Sequence, residues 1–227
     1  MPMKSSLKKI ERLQYITHPV AEYTAADQTR LVTETGGKWI QFRMKHTNPH
    51  IFKEQAEKAL HAAREKDATF IINDDVLAAK MLDADGVHIG KEDLDPLVAR
   101  KLLGEEKIIG CTANTLEDIL YLSAQPIDYI GLGPFRFTGT KQKLSPILGL
   151  SSYKTIMQKL QGHGIDIPII AIGGIMITDI ANLFETGIYG IATSSAILNT
   201  SDPKASCTAL LNEIKRNCYE STIKNSR

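Results

Sequence analysis

An excess of charge of one sign is missing from this chain. Its 227 residues carry 27 Lys and Arg against 26 Asp and Glu, a formal net charge of +1. The dominant positive field on which general nucleic-acid and membrane-surface binders depend is therefore absent. Cysteine is scarce: Cys111, Cys207 and Cys218 form an odd set without zinc-type spacing. They suggest neither a disulfide framework nor a structural metal, and a Cys207–Cys218 pair, open in principle, is not expected. No segment stays apolar long enough to span a bilayer, and the opening MPMKSSLKKIERLQYITH has lysines but no apolar core of signal-peptide length. The expected setting is soluble and cytoplasmic, with no nucleic-acid or membrane partner. Linkers, low-complexity tracts and charge blocks are missing as well. One domain over residues 1–227 is expected, with frayed ends at 1–10 and 220–227.

What is present is a rhythm. Short apolar runs recur as LQYIT from Leu13, WIQFR from Trp39, TFIIN from Thr69, DGVHI from Asp85, KIIGC from Lys107, IDYIGLG from Ile127, IPIIAIG from Ile167 and IYGIAT from Ile188. Between them lie segments with helical spacing. The clearest is PHIFKEQAEKALHAAREK, where Ile51, Phe52, Ala56, Ala59, Leu60 and Ala63 recur at helical intervals. Nearly continuous apolar strands fit a sheet covered on both faces, and a helix after each strand forces parallel pairing. Eight such units predict an α/β fold, a (β/α)8 TIM barrel. The alternative, a doubly wound open sheet, would show a glycine-rich fingerprint after the first strand, where this chain reads THPVAEYTAAD.

In such barrels the chemistry sits at the C-terminal strand ends, so residues just past each run converge on one rim. In QFRMK, Gln41, Arg43 and Lys45 alternate and share one side of an extended strand end. Two cations and an amide suit a phosphate or diphosphate, with Arg43 able to bind bidentately, although a solvated charged strand end reads the same way. INDD and HIGKED would bring Asn73, Asp74 and Asp93 together as hard oxygen ligands for Mg2+. Asn73, Asp74, Asp75 and Asp93 also stand where helix N-caps are wanted. Asp75 and Asp85 read as structural, His88 as a packed or hydrogen-bonded core histidine, and Cys111 as a small buried packing residue. GCTANT offers the hydroxyl of Thr112. FTGTK presents Thr138, Thr140 and Lys141 on a long loop able to close over the mouth. The last two runs end in Gly173, Gly174 and in Ser194, Ser195, each before an expected short helix. That pairing is the common phosphate cradle of this fold, against the plainer reading of a turn and a cap.

In order along the chain, LQYIT, QFRMK, FIINDD, ADGVHIGKED, IIGCTANT, DYIGLGPFRFTGTK, IPIIAIGGI and SSAI resemble the motifs of the thiamine phosphate synthase family, from about Leu13 to Ile197. The resemblance implies a Mg2+-dependent transferase that joins a hydroxymethylpyrimidine diphosphate to a hydroxyethylthiazole phosphate, releasing diphosphate. The chemistry implied is dissociative and needs no side-chain nucleophile. By the same resemblance Gln41, Arg43, Lys45 and Asn73 would hold the pyrimidine diphosphate, and Asp74 and Asp93 the metal. Thr112 would stand where the family usually has serine. Thr138, Thr140 and Lys141 would clamp the substrates, and Gly174, Ser194 and Ser195 would hold the thiazole phosphate. Arg43, Lys45 and Lys141, with the metal, would stabilise the leaving charge. This chain departs from the pattern at Phe42, Met44 and Phe137, which replace a leucine, an acidic residue and a proline. Two rivals are a thiazole tautomerase, which carries histidine where this chain has Pro134 and tends to lose the diphosphate residues, and a non-catalytic sensor of thiamine precursors. Homo-oligomerisation is left open.

Overall fold

A strand buried on both faces reads as a continuous apolar run, and each of the eight runs contains a strand. They are β1 (Leu13–Ile16), β2 (Trp39–Phe42), β3 (Thr69–Asn73), β4 (Gly86–Ile89), β5 (Ile108–Ala113), β6 (Tyr129–Leu132), β7 (Ile169–Ile172) and β8 (Gly190–Thr193). Each pairs in parallel with the next, and β8 pairs with β1, so the sheet is a closed barrel in chain order rather than an open one. The structure, a computed structural model, describes residues 10–137 and 146–224, with side-chain surroundings up to 218. Of the ends expected to fray, Ile10 and the helix backbone of 220–224 are described, and the remainder lies outside the described residues.

Helices α1 (Ala25–Glu34), α2 (Pro49–Arg64), α3 (Val76–Met81), α4 (Pro96–Leu103), α5 (Leu116–Ser123), α6 (Gly149–Gly162), α7 (Ile180–Phe184), α8 (Ser195–Leu198) and α9 (Pro203–Lys224) alternate with the strands or follow the last one. Their starts are written locally. Thr24 and Thr115 form capping boxes with Asp27 and Asp118, and Asn48 and Asp95 cap helices that open with proline. In α2 the residues Ala56, Ala59, Leu60 and Ala63 are buried as the spacing predicts and Phe52 is partly so; Ile51, in the first turn, stays exposed. Among the described residues no helix is long and apolar enough to cross a membrane. None of the three cysteines is joined in a disulfide, and Cys207 accepts a hydrogen bond from Thr35 Oγ1 at 2.9 Å.

Period-two alternation sorts strand residues into two layers. One face packs on the helices, with Tyr15, Ile40, Phe42, Phe70, Ile72, Ile109, Ile130 and Leu132 in one large core. The other faces the lumen, with Ile16, Trp39, Ile71, Ile108, Tyr129, Ile170 and Ala192. The same alternation explains two departures from the family pattern. Phe42 meets Phe52 edge-on at 5.2 Å and stacks on Phe70 at 6.1 Å, and Met44 packs on the same outer core, so both point away from the lumen.

At the N-terminal ends of the strands, charges are saturated. Arg100, 6% exposed, reaches Pro126 O, Gly104 O and Lys107 O and pairs with Asp128 at 2.7 Å. Asp128 also accepts from Ile109 N at 2.8 Å, and Asp85 accepts from Phe70 N at 2.7 Å. In both cases an acid just before one strand satisfies a backbone donor of the strand before it, which is the structural role expected for Asp85.

Candidate active site

The C-terminal rim gathers residues from β2, β3 and β4. Lys45 Nζ lies 3.0 Å from Asp74 Oδ2. Asp74 also meets the Asp93 carboxylate, and its carboxyl is pushed above its ordinary value by burial first; Lys45 opposes that shift, and Asp93 adds to it. Arg43, half-buried, is lowered by burial while the charge of Asp74 opposes the shift. Helix capping does not explain these acids. The caps of α3 and α4 are their neighbours Asp75, which accepts from Ala78 N at 2.8 Å, and Asp95, which accepts from Leu97 N at 2.8 Å. Asp93 instead accepts from Gly90 N at 2.7 Å and so is held in a tight turn. Asp74 sits at φ +68°, a left-handed conformation that aspartate adopts more readily than most residues and that Asp67 and Asp83 share. Asn73 ends β3 beside it, partly exposed.

Below this cluster a chain of polar side chains runs through the otherwise apolar lumen. Gln41, 2% exposed, donates from Nε2 to Gln14 Oε1 at 3.1 Å, and Gln14 Nε2 donates to the Tyr129 hydroxyl at 3.0 Å. Tyr129 meets His88 Nδ1 at 2.9 Å, and His88 Nε2 meets Thr112 Oγ1 at 2.9 Å. His88 is thus the hydrogen-bonded core histidine the sequence suggests. Cys111, alongside, is buried with its thiol pushed up to about 12 chiefly by burial, which leaves no thiolate to act as a nucleophile.

Across the rim, Gly173 and Gly174 adopt φ +105° and +63°. A Cβ on Gly174 would lie 2.5 Å from Arg136 Cγ, so only glycine fits that turn. Arg136 braces it, donating to Gly174 O at 2.6 Å and pairing with both oxygens of Asp179 at 2.6 and 2.8 Å. The expected short helices are a 3-10 turn at Ile177–Asp179 leading into α7, and the single turn α8. Ser194 donates its hydroxyl to Ile16 O at 2.6 Å, so His18 Nδ1, 2.5 Å away, must be the donor to Ser194 Oγ. The Ser194 hydroxyl is therefore already engaged, and Ser195, exposed in the first turn of α8, carries the open one. Thr138, Thr140 and Lys141 lie outside the described residues, which stop at an exposed Phe137 and resume at Pro146.

The sequence reading missed Gln14, Tyr129, His18 and Arg136. The first two look like ordinary residues of apolar strands, and only their lumen-facing parity could have marked them. The Arg136–Asp179 pair joins positions 43 apart that carry no shared local pattern.

Among the described residues no cluster of three or more His, Cys, Asp or Glu is poised for a metal. Two carboxylates are the share a protein usually contributes to magnesium. The two carboxylates of Asp74 and Asp93, meeting beside Lys45, are hard oxygen ligands of the kind a divalent cation takes.

Comparison with known proteins supports one family. The family described as thiamine monophosphate synthase matches residues 13–197. A thiamine-phosphate synthase of Bacteroides fragilis is 46% identical over 200 residues, covering 88% of this chain and 98% of its own. One from Flavobacterium johnsoniae is 47% identical over 205 residues, covering 89% and 95%. Among solved structures, a thiamine phosphate pyrophosphorylase from Pyrococcus furiosus superposes with a TM-score of 0.79 at 29% identity, covering 91% of this chain and 96% of that one.

Proposed function

Because the chain belongs to the thiamine monophosphate synthase family, we propose that this transferase joins a hydroxymethylpyrimidine diphosphate to a hydroxyethylthiazole phosphate, forming thiamine phosphate and releasing diphosphate. One observation carries the reading: the Lys45–Asp74–Asp93 cluster and the Gly173–Gly174 turn with Ser195 share one rim, giving a cation-lined place and a glycine-lined place for two phosphorylated substrates.

Arg43 and Lys45 would hold the diphosphate, with Asn73, the Gln41 carbonyl oxygen and Thr112 orienting the pyrimidine. Asp74 and Asp93 would hold magnesium, which when bound supplies positive charge to the departing diphosphate. Gly174, the Ser195 hydroxyl and the backbone of Ser194, whose own hydroxyl is engaged, would receive the thiazole phosphate, and Thr138, Thr140 and Lys141 would close over both. The residues act by stabilising charge on the leaving group while the pyrimidine methylene and the thiazole nitrogen are held in line. No protein nucleophile is used. A cytoplasmic setting belongs to the same proposal.

The test is diphosphate release by the purified protein given both substrates, with and without magnesium, beside a control lacking the thiazole. Magnesium-dependent release coupled to thiamine phosphate is expected. Folded protein that binds the thiazole phosphate but yields no coupled product would overturn the reading.

A further inference from the structure

Gln14, Gln41, His88 and Tyr129 are four polar side chains in the lumen, each at most 6% exposed. Their hydrogen bonds run in one direction. Gln41 Nε2 donates to Gln14 Oε1, which turns the Gln14 amide nitrogen toward the Tyr129 phenol. Burial lifts the Tyr129 hydroxyl above its ordinary value, and hydrogen bonds from both Gln14 and Gln41 work against that shift. An oxygen that accepts from the Gln14 amide has its own proton left to give, and His88 Nδ1 stands 2.9 Å away. Nδ1 is then an acceptor, the neutral ring carries its proton on Nε2, and that N–H donates to Thr112 Oγ1. Thr112 ends the chain of bonds near the C-terminal end of β5, partly exposed, with its own O–H still to give.

The barrel makes room for this arrangement. A Cβ on Gly110 would lie 2.0 Å from Tyr129 Cζ, and one on Gly131 would lie 3.0 Å from His88 Cε1. Two strand glycines thus clear the space in which a tyrosine and a histidine meet.

We propose that Gln41, Gln14, Tyr129 and His88 form a polarising relay that presents the Thr112 hydroxyl as a fixed hydrogen-bond donor to an acceptor atom of the pyrimidine diphosphate. The substrate named here rests on the reading under Proposed function; the polarity of the relay does not. Tyr129 and His88 are positioning residues, and Thr112 makes the contact. A fixed donor favours a diphosphate oxygen or an unprotonated ring nitrogen and rejects a substrate N–H or O–H at that point, because two donors would face each other.

The test reads the histidine directly. In the full chain labelled with 15N-histidine, with His88 assigned through its backbone, Nε2 should carry the proton and Nδ1 should be unprotonated at neutral pH. Tyr129→Phe should redistribute His88 between its tautomers while the melting transition stays cooperative. Thr112→Val should weaken binding of magnesium diphosphate, or of the pyrimidine diphosphate alone if the acceptor is a ring nitrogen, by about tenfold. Thr112→Ser should restore most of that loss, and thiazole phosphate affinity should not move. An Nδ1–H form in the unmodified protein, or unchanged affinity for both diphosphates in Thr112→Val, would overturn the relay. Turnover with the Nδ1–H form overturns the polarity and spares the synthase reading; the Nε2–H form without turnover overturns that reading instead.

Discussion

Asp128, at the N-terminal end of β6, and Asp74, at the C-terminal end of β3, are both carboxylates beside a cation, yet their surroundings differ. Asp128 accepts from the guanidinium of a buried Arg100 and from Ile109 N, and Arg100 gives three further donors to carbonyls. Asp74 has Lys45 on one side and another acid, Asp93, on the other. One end of the barrel closes its electrostatics internally. The other leaves them open, and an open, like-charged arrangement persists where a ligand completes it.

That contrast is broken most decisively at Asp74 and Asp93. Changing either to alanine should lower turnover on the order of 10³-fold through lost metal and charge stabilisation, with little change in melting temperature. Unchanged activity and unchanged magnesium dependence in steady-state assays would remove that residue from the site. At the opposite end, Arg100→Ala should destabilise the protein by about 3 kcal/mol, because a buried guanidinium and its four hydrogen bonds are lost and the partly buried Asp128 keeps only part of its compensation. Urea denaturation measures the loss, and kcat per folded molecule should be unchanged. Gly110→Ala tests the link between the ends: the new methyl must displace the Tyr129 ring, at a cost of about 1–3 kcal/mol, and thermal melts should show it.

The smallest effect is in pH dependence. Asp74 holds its proton more firmly in the folded state, chiefly through burial, so its ionisation costs stability. That cost is absent below the ordinary carboxylate range and grows as pH rises through the raised folded value. Asp83, at the saturated end, is held below its ordinary value by the Lys107 hydrogen bond. Its contribution is present above the ordinary range and is lost as pH falls through the folded value. Without magnesium, Asp74→Asn should therefore be slightly more stable than the parent at neutral pH, with the gap closing in acid, while Asp83→Asn should be slightly less stable, its gap also closing in acid. Melting temperatures from pH 3 to 7 decide the signs. Magnesium with diphosphate should raise the melting temperature of the parent but not of Asp74→Asn.

Much of the barrel is legible in the order of the amino acids. Each strand is a nearly continuous apolar run because both its faces are covered, and caps such as Thr24, Asn48 and Thr115 stand next to the helices they start. The rim residues are legible through one rule, that chemistry gathers at strand C-termini. What local pattern leaves undecided is which of several adjacent acids caps a helix: Asp75 and Asp95 do, while Asp74 and Asp93 meet each other. Nor does it show that Gln14 and Tyr129, 115 residues apart, are partners, or that Arg136 braces Gly174.

By itself, then, the sequence determined the strand and helix alternation, the two-faced burial, the capping chemistry and the set of polar residues at the strand ends, because these depend on neighbours a few positions away. Tertiary structure alone decided the partnerships. Closing eight strands in register sets Gly110 against Tyr129 and Thr112 against Gly131, and a hydrogen bond accepts tenths of an ångström where an apolar contact accepts a range.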